Sequence, residues 1–334
     1  MTMTDAAARR RGLPSWLVRP EIGLIVLIAA IILAFSLAAP GFLSPFNTFA
    51  IARELSVAIV LGFSMLVVLA IGGMNLAVGS IGVCVAMATA GMQAAGAPVL
   101  LCVAGGLACG ALLGAVNGIV IVRTGLSSFL VTLATMSIYF GVMLLLSGAE
   151  AIRDLDPGFV YFGRARLLGT VPVMFLVAVA VAIALKYLYA ATDIGRQMLF
   201  TGANPKAAYL SGIPVVRSIV LAHALSGLLA GLAGIMLAAR TGAGVPSMAG
   251  QIGRDWLLPA FIAPVLGGCA LAGGSVAIFG TMLGAALVGI LGSGLRMVNI
   301  GDFWIELFLG IILLAAVLAD RARTVWSQRK EIGR

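Results

Sequence analysis

Apolar blocks alternate with short polar joints along nearly the whole chain. A bilayer's hydrocarbon core takes about 20 helical residues to cross. On that length the pattern predicts ten spanning helices, near 22–39, 55–72, 79–96, 98–122, 127–147, 171–190, 217–239, 254–268, 274–294 and 302–320. The second and eighth blocks are short or interrupted. The apolar run from Ile22 to Ala39 follows Arg9, Arg10 and Arg11. At about 18 residues it exceeds the 7–15 of a signal-peptide core, so it reads as an uncleaved first span. An even number of spans leaves both termini on one side of the membrane.

Two polar stretches interrupt the pattern. One, Thr192 to Arg217, carries its own helix instructions. Asn204 is a good N-cap, because its side-chain oxygen can accept an orphan backbone N–H. Pro205 suits the first helical position, where its missing N–H costs nothing. Lys206, Ala207, Ala208, Tyr209 and Leu210 continue the helix, and Gly212 can take the left-handed stop. The result is a helix of about two turns, roughly 10 Å long. So short a helix is not stable alone in water. It is held by the surrounding chain or seats in a partner's groove. The other stretch, 148–170, contains the turn signal Asp156-Pro157-Gly158 and re-enters the membrane at Gly169 to Pro172. It is either a solvated loop or a contact for a partner on that side.

A repeat is visible inside the apolar pattern. GGMNLAVGSIGV at 72–83 and GGCALAGGSVAI at 267–278 match without a gap at Gly72/Gly267, Gly73/Gly268, Leu76/Leu271, Ala77/Ala272, Gly79/Gly274 and Ser80/Ser275. GALLGAVNG at 110–118 is likewise similar to GTMLGAALVG at 280–289. The Gly-Gly pairs break helices and free backbone groups. Such breaks survive in a membrane only where protein buries them or they line a cavity. Breaks at corresponding places in two halves point to a transport site. The expected fold is therefore all-α and polytopic, with two related halves and broken helices.

Composition agrees. The chain of 334 residues is 62% hydrophobic and 10% charged, where a soluble domain carries about 25% charged residues. Mean hydropathy is +1.15. Its 43 glycines suit close helix approach in lipid. The net charge of +9 does not indicate nucleic acid, because the cations sit in the joints and at the ends rather than on a patch with aromatics. They follow the positive-inside rule. With the N-terminus inside, fourteen of the 21 cations fall inside: Arg9, Arg10, Arg11, Arg19, Arg123, Lys186, Arg196, Lys206, Arg217, Arg321, Arg323, Arg329, Lys330 and Arg334. Arg53, Arg153, Arg164, Arg166, Arg240, Arg254 and Arg296 fall outside. Residues 1–21, 191–217 and 321–334 are then cytoplasmic.

Reactive chemistry is missing from the pattern. Gly202 to Lys206 is not a phosphate loop, since the second glycine and the hydroxyl after lysine are lacking. No HExxH occurs, and the single histidine, His223, suits helix packing. Cys84, Cys102, Cys109 and Cys269 lie in apolar runs without metal-ligand spacing and behave as small hydrophobes. Paired intramembrane carboxylates, which a proton relay needs, are absent. Nothing calls for a cofactor, a metal or an enzymatic reaction. Neutral polar groups remain inside the spans. Asn75 either caps the first break or points into a path. Gln93 and Asn117 either bond between helices or line the path. Phe129 and Trp256 either pack or present a ring to a solute. A path lined by amides and hydroxyls suits a neutral polyhydroxylated solute rather than an ion.

Several stretches together resemble one family, the permease subunits of ribose/xylose/galactose-type ABC importers. GGMNLAVGS at 72–80 is similar to that family's GGIDLSVGS. SSFLVTLATMSIYFGVMLLLSG at 127–148, TDIGRQMLFTGANPKAAYLSGIPV at 192–215 and APVLGGCALAGGSVAIFGTMLGA at 263–285 resemble further segments of it, in order. Asn75 stands where the family often has Asp, Ala77 where it has Ser, and Tyr139-Phe140 and Gln251 to Leu258 also depart. These changes bear on the solute, not the architecture. The resemblance implies a homo- or heterodimer of permeases, two cytoplasmic ATP-binding subunits and a periplasmic substrate-binding protein in the inner membrane's transport system. It implies that the loop after the sixth span is a coupling helix, with Gly195, Arg196, Asn204, Pro205, Ala207, Ala208 and Gly212 as its residues. Asn75, Gln93, Asn117, Phe129 and Trp256 are the candidate pathway. A monosaccharide or similar polyol is the expected cargo. A branched-chain amino acid, a nucleoside or an autoinducer is the alternative within the family. A secondary transporter working without ATP is the alternative outside it.

Overall fold

A computed structural model describes residues 20–318 apart from 168, 170, 247, 302 and 316, with only the backbone at 20 and 248–255. The expected cytoplasmic tails, 1–21 and 321–334, lie outside the described residues except for Pro20 and Glu21. The elements run α1 (Pro20–Ala38), α2 (Pro45–Leu69), α3 (Val78–Ala94), α4 (Val99–Thr124), α5 (Ser128–Ser147), α6 (Pro157–Arg164), β1 (Arg166–Leu167), β2 (Val171–Pro172), α7 (Val173–Ala191), α8 (Asp193–Ala203), α9 (Pro205–Leu210), α10 (Val215–Thr241), α11 (Met248–Leu266) and α12 (Ile278–Met297). An apolar helix α13 follows at Phe303–Ala315. The protein is all-α and polytopic, and each of the ten predicted spans is a helix. Seven are long and apolar enough to cross a bilayer; α3, the Trp256–Leu266 part of α11, and α13 are shorter.

The ends differ where capping outweighs hydropathy. The second span was expected from 55, but α2 begins at Pro45. The Ser44 side chain accepts Asn47 N–H at 3.3 Å, and Pro45 takes the first position. Arg53 and Glu54 are thereby carried inside the helix. Residues 148–170 are more than a loop. Asp156 caps α6 by accepting Gly158 N–H at 2.8 Å and Phe159 N–H at 3.2 Å, and β1 pairs antiparallel with β2.

Two helices form the axis. The apolar stretches of α2 and α10 are mostly buried, whereas those of α1 and α4 are mostly not. Helices approach this axis through glycine. Gly106, Gly110, Gly114 and Gly118 recur every four residues along α4; the last three meet the backbone of α10, and Gly106 packs against Thr89 of α3 and Ile235 of α10. A Cβ on Gly114 would lie 2.1 Å from His223 O, and one on Gly110 2.6 Å from Gly227 O. Gly234 of α10 meets Gly82 of α3 as closely, its Cβ position 1.9 Å from Gly82 O. The other half uses the same device, with Gly280 and Gly284 of α12 against Gly267 and Ala263. In lipid such packing, rather than a hydrophobic drive, holds helices together.

The two repeat pairs fare differently. The breaks at 72 and 267 occupy like positions, each between an apolar helix and a glycine-rich one. GALLGAVNG lies in α4 and GTMLGAALVG in α12, which follows the second break as α3 follows the first. Their likeness therefore reflects the shared demand for glycine at a close seam, not equivalent places in two halves.

Gly114→Leu should lower the thermal unfolding midpoint of the detergent-solubilised protein and cost about 3 kcal/mol, the upper part of the usual range for overpacking, since it meets backbone rather than a movable side chain. Gly141, whose Cβ position has nothing within 4 Å, should accept leucine with little change in the same scan.

Candidate functional site: a joint between the two helix breaks

The first break frees the backbone groups of residues 70–77, and neighbouring side chains satisfy them. Ser128 Oγ accepts Met74 N–H at 2.9 Å, and Thr132 Oγ1 accepts Leu76 N–H at 3.0 Å. Asn75 Oδ1 accepts Ala77 N–H at 3.0 Å, while its amide donates to Ser226 Oγ at 2.9 Å. Ser226 is joined to Ser64 of α2, whose hydroxyl donates to Ser226 O at 2.8 Å. The break is thus tied to α5, α10 and α2 at once. Cys269 Sγ accepts Ala277 N–H at 3.2 Å in the second break, and Ser275 Oγ accepts Ala270 N–H at 3.3 Å. Both breaks turn on a left-handed glycine, Gly72 at φ 73° and Gly268 at φ 91°.

The breaks meet. Gly274 N–H donates to Ala70 O at 3.0 Å, bonding one half of the chain to the other. Gly202 of α8 lies directly on that bond. A Cβ there would sit 2.0 Å from Ala70 O and 2.6 Å from Gly274 N. No residue but glycine fits unless the bond opens.

The polar segment after the sixth span is two helices rather than one. Thr192 Oγ1 caps α8 by accepting Gly195 N–H at 3.1 Å. Gly195 lets α8 fold back on α7, its Cβ position 2.1 Å from Leu188 O. Gly195, Met198, Thr201 and Gly202 form the buried face of α8. Arg196 points away and pairs with Asp193. The chain then bends at Asn204, whose side chain accepts Ala207 N–H at 3.0 Å to start α9. Gly212, at φ 78°, ends it, and Ile213 N–H returns to Ala208 O at 3.0 Å. These are the expected caps. Ala208 is only 4% exposed and seats α9 on its own chain, whereas Tyr209 and Leu210 are 73% and 85% exposed.

The five candidate pathway residues are not brought together. Asn75 is fully buried in the break. Gln93 ends α3 and accepts Asp156 N–H at 3.1 Å. Asn117 is buried between α4 and α5 and accepts from the Tyr139 hydroxyl at 2.7 Å. Phe129 lies on the open face of α5, 47% exposed. Trp256 of α11 packs beside Gly82 of α3. With Gly82 it lines a hollow of about 10 Å³, room for one water at most. In the sequence Gly202 stands out only as the start of a stretch that fails as a phosphate loop, because nothing local marks its close contact with the breaks. Ser64 and Ser226 went unremarked, being single hydroxyls in apolar runs.

A bundle of apolar helices with two interrupted spans joined at one end is the build of a polytopic membrane permease. The comparisons narrow the class. The family described as "Branched-chain amino acid transport system / permease component" matches residues 47–317, and the chain belongs to it. The chain is 35% identical to the ribose import permease protein of Bacillus subtilis, covering 91% of this chain and 92% of that one. It is 32% identical to the D-allose transport system permease protein of Escherichia coli, over 90% and 91% respectively. It is also 32% identical to the L-arabinose ABC transporter permease protein of Azospirillum brasilense, over 95% and 92%. No solved structure matches it.

Gly202→Val should open the Gly274–Ala70 bond. In hydrogen–deuterium exchange, amides of both 68–76 and 268–277 should then exchange faster, although only α8 is altered. Unchanged exchange in either break would show that the wedge carries no load.

Proposed function

We propose that the chain is the membrane-spanning subunit of a bacterial inner-membrane importer, powered by a separate ATP-hydrolysing subunit and carrying a monosaccharide or similar polyol. The observation that carries this reading is α9. A six-residue helix holds Tyr209 and Leu210 out beside a groove of about 260 Å³ lined by Tyr209, Gly212, Ile213, Pro214, Val215 and Val216. Exposed apolar side chains on so short a helix need a partner, and the chain has no phosphate loop of its own. The charge bias along the sequence supports putting this segment, 191–217, and both termini in the cytoplasm. Ribose, allose and arabinose permeases among the relatives support a sugar cargo.

The geometry suggests how force would pass. ATP-driven closure of the partner moves α9. The bend at Asn204 and Pro205 transmits that movement to α8, with Gly195 keeping α8 against α7. Gly202 then bears on Ala70 and Gly274 and shifts both breaks together. Interdigitated helices move as units rather than deform gradually, so the two halves rock. The hollow beside Trp256 is far too small for a sugar. The path accordingly runs between this chain and a second permease subunit, along the open face of α5 that includes Phe129. Asn75, Gln93, Asn117 and Trp256 act behind that face, fixing the helices that line it. A substrate-binding protein delivers the solute from the far side.

The matched family's description names a second cargo, a branched-chain amino acid. Uptake into vesicles containing the complete transporter separates the two: labelled ribose, allose and arabinose against labelled leucine.

Leu210→Glu should cut ATP-driven uptake by at least about tenfold, since a charge left unpaired in an apolar contact costs well over 1.4 kcal/mol. Membrane insertion should persist, because Leu210 touches little of its own chain. Uptake at the wild-type rate would sink the docking role of α9.

A further inference from the structure

We propose that Asn117 of α4 and His223 of α10 form a two-state polar switch that ties the position of α5 to the axis of the bundle. In this conformation each holds out one unbonded nitrogen. Asn117 is fully buried and His223 is 1% exposed. Neither Asn117 Nδ2 nor His223 Nε2 has a hydrogen-bond partner among the described residues.

The two nitrogens are complementary. His223 Nδ1 lies 3.0 Å from Ile219 O. A carbonyl oxygen only accepts, so Nδ1 carries the ring hydrogen. Of the helices packed on α4 or α10, only α2 and α8 carry a carboxylate, and these, Glu54 and Asp193, are paired with arginines. The buried ring has no counter-ion and is neutral. His223 Nε2 is therefore a bare acceptor. Asn117 Oδ1 accepts from the Tyr139 hydroxyl at 2.7 Å, which leaves its amide nitrogen as a free donor. The helices that carry them touch at this level. A Cβ on Gly118, next to Asn117, would lie 3.2 Å from His223 Cβ. A donor and an acceptor removed from water and left unbonded each destabilise this conformation. Pairing them removes both penalties at once.

Tyr139 holds them apart. Its hydroxyl has one hydrogen and two acceptors, Asn117 Oδ1 and, at 2.9 Å, Leu113 O. It can give up Asn117 and keep Leu113. The seam between α4 and α10 need not slide, since Gly114 and Gly118 lock it against backbone. Only the amide turns. Tyr139 belongs to α5, the helix whose open face includes Phe129. When α5 moves, Tyr139 releases Asn117, and Asn117 Nδ2 donates to His223 Nε2. The link of this step to transport rests on the importer reading above, in which α5 lines the path.

The chain has a single histidine, so labelling its histidine with nitrogen-15 marks one ring. Labelled permease, purified without a histidine tag, is assembled with unlabelled ATPase subunits in lipid bilayers and read by solid-state NMR. At rest the Nε2 signal should be that of a free acceptor. In the complex arrested with Mg-ATP and orthovanadate it should move upfield, as an imidazole nitrogen does on accepting a hydrogen bond. Tyr139→Phe, which removes one hydroxyl, should bring on that shift at rest and without ATP, although Tyr139 bonds to Asn117 and Leu113 rather than to His223. Asn117→Leu should abolish the shift in both settings. A nitrogen already bonded at rest, a signal unmoved by Tyr139→Phe, a shift that survives Asn117→Leu, or no shift in a complex that does trap nucleotide overturns the switch. A complex that traps no nucleotide overturns the importer reading instead, and the Tyr139→Phe arm still decides the switch.

Discussion

One hydrogen bond, from Gly274 N–H to Ala70 O, joins the two interrupted halves of this permease, and Gly202 holds it from the polar segment between α7 and α10. Each break leaves backbone groups that lipid cannot satisfy. The first break settles its own with Asn75, Ser128 and Thr132, the second with Cys269 and Ser275. Ala70 and Gly274 then satisfy each other across the halves. Because Gly202 leaves no gap, α8 cannot shift without moving both breaks. A helix outside the apolar blocks thus gains purchase on the whole bundle.

Glycine serves two purposes that are easily confused. Along α4, α10 and α12 it removes side chains so that backbones touch, which stabilises a bundle in a solvent as apolar as its own surface. At Gly72 and Gly268 it permits a left-handed turn that other residues resist. Gly202 belongs with the first group by contact, yet its neighbours are the breaks, so the same missing side chain there bears on movement. The amides follow a similar logic. Asn75 is fully occupied inside the protein, as caps of freed backbone are. Asn117 and Gln93 are occupied only in part: each carbonyl oxygen accepts a hydrogen bond, while each amide nitrogen is buried without a partner among the described residues.

The two ends of the molecule carry opposite surfaces. The α8–α9 end presents apolar side chains on a short capped helix. The far end presents concentrated positive charge on a braced platform of α6, the β1–β2 hairpin, the third turn of α2 and the end of α10. An apolar projection and a charged plateau are suited to different partners, and α2 links them along the axis of the bundle.

Much was legible in the sequence because its causes are local. Hydropathy blocks set the ten helices, since the length a helix needs to cross lipid does not depend on its neighbours. Asn204, Pro205 and Gly212 announced α9, since a cap acts within one turn. The glycine pairs announced the breaks. What the tertiary structure decided depends on residues far apart in the chain. That Gly202 touches Ala70 and Gly274, that Ser226 serves Asn75, and that Ala208 turns inward while Leu210 turns out are facts of packing. The start of α2 at Pro45 was readable from Ser44 and Pro45, but Arg53 and Glu54 masked it; charge inside a helix is tolerated where the fold brings it to the surface. The arginines at the far end were invisible as a group for the same reason. Arg53, Arg164, Arg166 and Arg240 are spread over more than half the sequence, and only the folded bundle sets their charges side by side.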